Sequence, residues 1–264
     1  MVFKVPSMAS NCEQLGVLAF DAHAGEYDQF AAVQAALAQW TAQWFSAARP
    51  KCLEIGAGTG IFTGHLAAAG AHLVATDIAP AMLAVARGKF PSVQFLVHDA
   101  RDPFEPIAPI ATFDWVVSSA VLQWFSEPSE VLCALTRTLK PGGRMLHGLL
   151  VADSLQVLEG LPRPVVFRSI DQWCALFASV GMRTIRHETR HFVTKYPSAQ
   201  SLLKSIHRTG AIAPQKTSAA ILRAWISKTD SKIRDGELAA EWTFARIECE
   251  RVAGASNDLL VGAP

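Results

Sequence analysis

The sequence predicts a doubly wound α/β sheet, and three observations carry that prediction. Leu53-Glu54-Ile55 is an apolar strand that runs straight into Gly56-Ala57-Gly58-Thr59-Gly60, and the helical stretch Ile61-Phe62-Thr63-Gly64-His65-Leu66-Ala67 follows. The next strand, His72-Leu73-Val74-Ala75-Thr76-Asp77, ends on an acid. Beyond it, apolar strands alternate with amphipathic helices through Leu146. Glycine lets the backbone turn tightly and brings a ligand against the main chain with no Cβ in the way. A strand, a glycine turn and a helix in that order form the first unit of a Rossmann-like sheet.

Composition bounds the rest. At 264 residues and 50% hydrophobic content the chain can bury one large core, as a single α/β domain does. Its 24 basic and 23 acidic residues leave a net charge of +1, which speaks against a general nucleic-acid binder. Cys12, Cys52, Cys133, Cys174 and Cys249 show neither C-x-x-C nor Cys/His ligand spacing. No metal site or disulfide framework is therefore expected, and a reducing, cytoplasmic compartment fits. Glu13 and Asp21 interrupt the only stretch where a signal peptide could lie. The uncharged runs 29–48 and 55–76 are broken by glutamines and glycines respectively, so neither has the apolar character of a membrane span. A soluble monomer is expected, with no nucleic-acid or membrane partner.

In chain order, residues 1–19 read as a flexible lead, 20–252 as a single domain and 253–264 as a flexible tail. Phe30, Val33, Leu37, Trp40 and Trp44 recur at three- and four-residue steps, the apolar face of a helix within a cap spanning 20–48. Pro80 opens the helix after Asp77, with Met82, Val85 and Ala86 as its apolar face. Val93 to Val97 is a third strand, ended by His98-Asp99-Ala100. Phe113 to Ser118 is a nearly all-apolar fourth, the pattern of a strand covered on both faces. Residues 127–138 form a helix, and Leu139-Lys140-Pro141-Gly142-Gly143 is a turn feeding a fifth strand. Ser169 to Val180 is helical and Met182 to Phe192 is a strand. Residues 198–235 read as two helices with a Gly-Ala-Ile-Ala-Pro break, and Glu241 to Val252 alternates as an edge strand.

The glycine spacing separates two cofactor classes. A dinucleotide fingerprint is G-x-G-x-x-G, but here the run is G-x-G-x-G and Ile61 stands where the third dinucleotide glycine would be. The run resembles motif I of the class I S-adenosylmethionine-dependent methyltransferases, as the Leu139–Gly143 turn resembles a later motif of that superfamily. Two further segments resemble the malonyl-acyl-carrier-protein O-methyltransferases of biotin synthesis. One is Phe20-Asp21-Ala22-His23-Ala24-Gly25-Glu26-Tyr27-Asp28 with Gln34; the other is Ser201-Leu202-Leu203-Lys204-Ser205-Ile206-His207-Arg208-Thr209-Gly210-Ala211. The resemblance runs from about Phe20 to Val252.

That resemblance implies seven strands, mostly parallel, with helices on both faces, the last strand antiparallel and a helical lid over residues 198–235 inserted before it. It implies S-adenosylmethionine as co-substrate, held by Gln34, Glu54, Gly56, Gly58, Gly60, Asp77, Ile78, Met82, Asp99, Ala100 and Ser118, with Tyr27 lining the methyl-transfer site. It implies malonyl-acyl carrier protein as the partner and methyl acceptor. The chain departs from the family at Ala22, where an Arg is usual, and at His207, where a Lys is usual. These departures shift any contact they made to neighbours such as His23 or Arg208.

Between residues 163 and 216 nine basic side chains (Arg163, Arg168, Arg183, Arg186, Arg190, Lys195, Lys204, Arg208, Lys216) face two acids, Asp171 and Glu188. A basic surface of that kind would steer an acidic carrier. In the implied reaction the carboxylate of a malonyl thioester attacks the sulfonium methyl. A carboxylate with a pKa of about 4 is already ionised at neutral pH, so no general base is needed. A cation to hold that carboxylate is sought among Arg168, Lys204, His207 and Arg208. Two rivals stand beside this reading: a small-acid carboxyl methyltransferase of the trans-aconitate type, and a noncatalytic partner-binding subunit.

Overall fold

The computed structural model describes residues 20–252 except 47, 105, 106, 108, 162–164, 166 and 210–216. The expected lead, tail and Gly-Ala-Ile-Ala-Pro break, together with Arg163 and Lys216, lie outside the described residues.

Seven strands form one sheet in the order β3-β2-β1-β4-β5-β7-β6. They are β1 (Lys51–Ile55), β2 (His72–Asp77), β3 (Gln94–Val97), β4 (Phe113–Ser119), β5 (Leu139–Leu150), β6 (Met182–Tyr196) and β7 (Leu238–Arg251). The pairs β1/β2, β2/β3, β1/β4 and β4/β5 are parallel, and β7 runs antiparallel to both β5 and β6. The helices used below are α1 (Tyr27–Phe30), α2 (Ala32–Ala42), α3 (Ile61–Ala68), α4 (Pro80–Lys89), α5 (Pro128–Thr138), α6 (Ile170–Ser179), α7 (Ala199–Arg208) and α8 (Ala219–Asp230).

Alternate residues of each strand serve opposite layers. Leu53, Ile55, Val116 and Met145 pack with Leu132 of α5 and Trp173 and Phe177 of α6. Cys52, Trp115, Val117 and Leu146 pack with Ala38 of α2 and Phe62 and Leu66 of α3. Both layers exclude water from the central strands, so those strands read as continuous apolar runs. A third cluster joins α2, α7, α8 and β7 through Leu37, Trp40, Leu202, Ile206, Trp225 and Phe244. It fixes the two helices inserted between β6 and β7 over one end of the sheet. No helix among the described residues is long and apolar enough to cross a membrane.

Four details differ from the sequence reading. The cap helix breaks at Ala31, where φ is −87° and ψ 28°; Asp28 is tied to the glycine turn while Val33, Leu37 and Trp40 pack on the sheet. One straight helix would not meet both anchors. The Pro141-Gly142-Gly143 stretch does not precede β5 but lies within it, and the register slips from Phe113↔Leu139 to Trp115↔Arg144 across it. The apolar face of α4 includes Leu83, fully buried beside Met82 and Ala86.

The fourth difference is β7, which is an inner strand; the edge is β6. Its alternating charges misled because they are paired across the sheet, not solvated. Glu248, 1% exposed, bridges Arg144 and Arg186. Arg246 is bound by Glu188, donates to the Trp40 carbonyl at 2.6 Å and lies over the Trp40 and Trp44 rings at 4.3 and 4.1 Å. Period-two polarity marks an edge only when the polar face meets water.

Candidate active site

The carboxyl ends of parallel strands are where ligands bind in open α/β sheets, and the main cavity lies there. It is lined by residues following β3 (Asp99), β1 (Gly56) and β4 (Gln123) and by the last residue of β2 (Asp77), and extends to Leu150 of β5 and Trp242 of β7.

The glycine turn is the floor. Gly56 has φ +62°, and a Cβ there would lie 2.3 Å from Val121 Cγ2. Gly60 has φ +88°, and a Cβ would lie 2.8 Å from the Phe90 ring. Both positions thus need glycine for backbone shape and for space. Asp77 clamps the turn from the next strand: its Oδ2 accepts from Gly58 N–H at 2.7 Å and its Oδ1 from Ala79 N–H at 2.8 Å. Burial pushes the Asp77 carboxyl up, and the N–H groups of Ala79 and Gly58 pull against it. Below the turn Glu54 is sealed in, 1% exposed, accepting from Thr63 Oγ1 at 2.7 Å, and burial raises its pKa to about 8.

At the β3 end Asp99 accepts from the Arg101 side chain and from its backbone N–H. Burial raises the Asp99 carboxyl, but Arg101 outweighs it and holds the pKa below the ordinary value.

The segment before α2 closes this floor from above. Asp21 Oδ1 accepts from Ala81 N–H at the start of α4, at 2.8 Å. Asp28 accepts from Thr59 Oγ1 at 2.5 Å and pairs with Lys89. Glu26 pairs with Arg208 of α7 and meets His23 at 3.2 Å. Tyr27 lines the cavity, and burial, then Asp77 and Asp28, push its pKa far above the ordinary value. It is a neutral phenol, a donor and not a base.

Of the expected cofactor residues, Gln34, Gly56, Gly58, Asp77, Ile78, Met82, Asp99 and Ala100 line the cavity. Glu54, Gly60 and Ser118 do not. Glu54 sits beneath the turn, and Ser118 points into the core, 2.7 Å from His147 Nδ1. His147 is fully buried and stacked on Phe177, and burial lowers its pKa to about 3. The expected substrate cations are absent from the lining. Arg168 donates to the Phe125 and Ser126 carbonyls and covers Trp173, Arg208 holds Glu26, His207 packs on His23, and Lys204 is exposed on α7. The basic run between 163 and 216 is largely neutralised by acids outside it: Arg183 pairs with Glu250, Arg186 with Glu248 and Lys195 with Glu237.

Three lining residues missed in the sequence are Ser119, Gln123 and Trp242. Gln123 follows β4 in a 3-10 turn, Leu122–Trp124; its position just past a strand end was the available signal. The side-chain oxygens Gln34 Oε1, Ser119 Oγ and Gln123 Oε1 are buried and lack a hydrogen-bond partner. An unsatisfied buried group costs about 1–3 kcal/mol, so these oxygens, with His98 Nε2 beside them, mark a place where a polar ligand completes the bonding. A glycine cradle, a clamped acid on the second strand and these orphan acceptors suit S-adenosylmethionine, with its ribose hydroxyls and its amino-acid end. Among the described residues no cluster of three or more His, Cys, Asp or Glu could hold a metal ion.

Comparison with known proteins agrees with this geometry. The family described as "Methyltransferase domain" matches residues 53–147. A malonyl-[acyl-carrier protein] O-methyltransferase of Paenibacillus sp. (strain JDR-2) is 31% identical over 71% of this chain and 78% of its own length. One from Herminiimonas arsenicoxydans is 30% identical over 92% of this chain and 89% of its own. The chain belongs to the malonyl-[acyl-carrier protein] O-methyltransferase family. Among solved structures, protein BH2331 of Bacillus halodurans C-125 superposes with a TM-score of 0.64 at 16% identity, over 83% of this chain and 99% of that one; that likeness is one of fold. The protein is thus an S-adenosylmethionine-dependent O-methyltransferase, and the co-substrate supplies a methyl group on a positively charged sulfur.

Proposed function

We propose that the enzyme methylates the free carboxylate of malonyl-acyl carrier protein, giving the methyl ester early in biotin synthesis. The observation that carries this reading is the likeness to malonyl-[acyl-carrier protein] O-methyltransferases along most of the chain.

In this reading Gly56 and Gly58 let the backbone approach the co-substrate, Asp77 accepts from its ribose hydroxyls and Asp99 from its adenine amino group. Ile78, Met82 and Ala100 give the adenine an apolar slot. Gln34 meets the amino-acid end. Gly60, Glu54 and Ser118 act by shaping the turn and the strand ends. Tyr27 stays protonated and donates toward the transfer site, while Asp28 holds it there through Thr59 and Lys89. An ionised acceptor needs no proton removed, so what these residues contribute is alignment in a water-poor cavity. Lys204 of α7 and Arg223 and Lys228 of α8 are exposed cations on the lid helices for which no acidic partner is seen among the described residues, and they are assigned to the acidic carrier.

The test incubates purified protein and S-adenosylmethionine with malonyl-acyl carrier protein, malonyl-CoA or trans-aconitate, and follows intact mass. Preferential methylation of the carrier-bound malonyl group is expected. Methylation of trans-aconitate alone would overturn the assignment.

A further inference from the structure

The acceptor half of the cavity is short of positive charge. Sheet order sets its lining in a row, from Asp99 beyond β3 through Asp77, Gly56 and Gln123 to Leu150 on β5 and Trp242 on β7. Arg101 is the one Lys or Arg in this lining among the described residues, and it sits with Asp99 at the far end. From Gln123 onward the described lining is Trp124, Phe125, Leu150, Thr209 and Trp242, all aromatic, aliphatic or neutral.

In this half of the described lining a carboxylate meets one positive charge, that of the sulfonium it attacks. One acceptor charge is thereby balanced. A second carboxylate on the same molecule would be buried against aromatic rings with nothing to pair with, and an unpaired buried charge is strongly disfavoured.

Gln123 is the residue placed to orient the single carboxylate. It is 3% exposed, lines the cavity and has no hydrogen-bond partner for Oε1. Because nothing fixes that oxygen, a half-turn of the amide presents its N–H₂ group at the same place, two donors for a carboxylate. Its neighbour Trp124 is held edge-on by Phe20, ring centroids 5.4 Å apart, which steadies the turn that carries it.

We propose that Gln123 positions the acceptor carboxylate and that this half of the cavity admits acyl groups bearing one carboxylate while rejecting those bearing two. This rests on the methyl-transfer reading above and adds the charge of the acceptor and the residue that reads it.

The test uses the full chain loaded with sinefungin, an S-adenosylmethionine analogue whose ammonium group stands where the sulfonium carries its charge and which transfers no methyl group. Trp124 and Trp242 report acceptor binding by fluorescence as malonyl-pantetheine, with one carboxylate, or malonate, with two, is added; methyl transfer to both is followed in parallel. Wild type is expected to bind malonyl-pantetheine at least tenfold more tightly than malonate. Gln123→Leu and Gln123→Glu should each raise the malonyl-pantetheine Kd about tenfold, with S-adenosylhomocysteine affinity by calorimetry within twofold of wild type. The Gln123→Glu defect should shrink as pH falls from 8 to 5, which a mere packing fault would not do. Equal binding of the two compounds, unchanged acceptor affinity in both variants, or cofactor affinity that falls in step would overturn the proposal. Gln123-dependent binding without methyl transfer would sink the proposed reaction and leave this site standing; methyl transfer with variants that bind like wild type would do the reverse.

Discussion

Thr59 of the glycine turn donates its hydroxyl to Asp28 at 2.5 Å, joining cavity floor and N-terminal cap across 31 residues. Lys89 reaches the same carboxylate and also the Thr59 carbonyl, at 2.9 Å. The cap is thus held by the loop it covers.

Removing that bond should weaken ligand binding more than folding. Asp28 is nearly half exposed, so its ion pair contributes little to stability, about 0–1 kcal/mol. Asp28→Ala should raise the S-adenosylhomocysteine Kd roughly fivefold, the loss of a hydrogen bond of about 1 kcal/mol, with a melting temperature close to wild type. Calorimetric titration beside a thermal melt separates the two effects.

Gly56→Ala should damage both. The left-handed backbone costs a Cβ about 1–2 kcal/mol, and the clash with Val121 at 2.3 Å adds overpacking of about 1–3 kcal/mol. Adding Val121→Ala should recover part of the stability, because it relieves the clash but not the backbone strain. Urea unfolding of the single and double variants would show no recovery if the clash were unimportant.

Glu54 makes stability fall as pH rises. Its folded pKa of about 8 lies above the ordinary 4.5, so its carboxyl is neutral in both states below 4.5 and must be buried charged above 8. The stability present at low pH is therefore lost across that window. Glu54→Gln retains an acceptor for Thr63 Oγ1 and should flatten this slope, gaining on wild type at pH 8.5 relative to pH 5 in urea unfolding.

The inner position of β7 predicts unequal arginines. Arg246 is 6% exposed and serves Glu188, the Trp40 carbonyl and two indoles; Arg246→Met should cost roughly 2–4 kcal/mol. Arg183 is mostly exposed against Glu250, and Arg183→Ala should change stability by less than about 1 kcal/mol. Equal losses would contradict the assignment of β6 as the edge.

The strand, glycine turn, helix and acid from Leu53 to Asp77 were legible because they are local: the backbone signs of glycine and the period of apolar residues act within a few positions. The sheet order across β5, β7 and β6 was not, because the charges that alternate along β7 find their partners on Arg144, Arg186 and Glu188 of other strands.

The sequence by itself determined the class of fold, the co-substrate and the glycine turn after β1, since each depends on neighbours in the chain. Tertiary structure alone decided which basic residues are spent on internal pairs and which polar atoms stay unpartnered at the cavity. Arg208 could be read as a substrate cation until it was seen to hold Glu26. Gln123 carried no signal beyond its place after a strand until its amide oxygen was seen buried and unpaired beside Trp124. Whether a charge or an amide is free is a property of what folding places opposite it, and those partners come from distant parts of the chain.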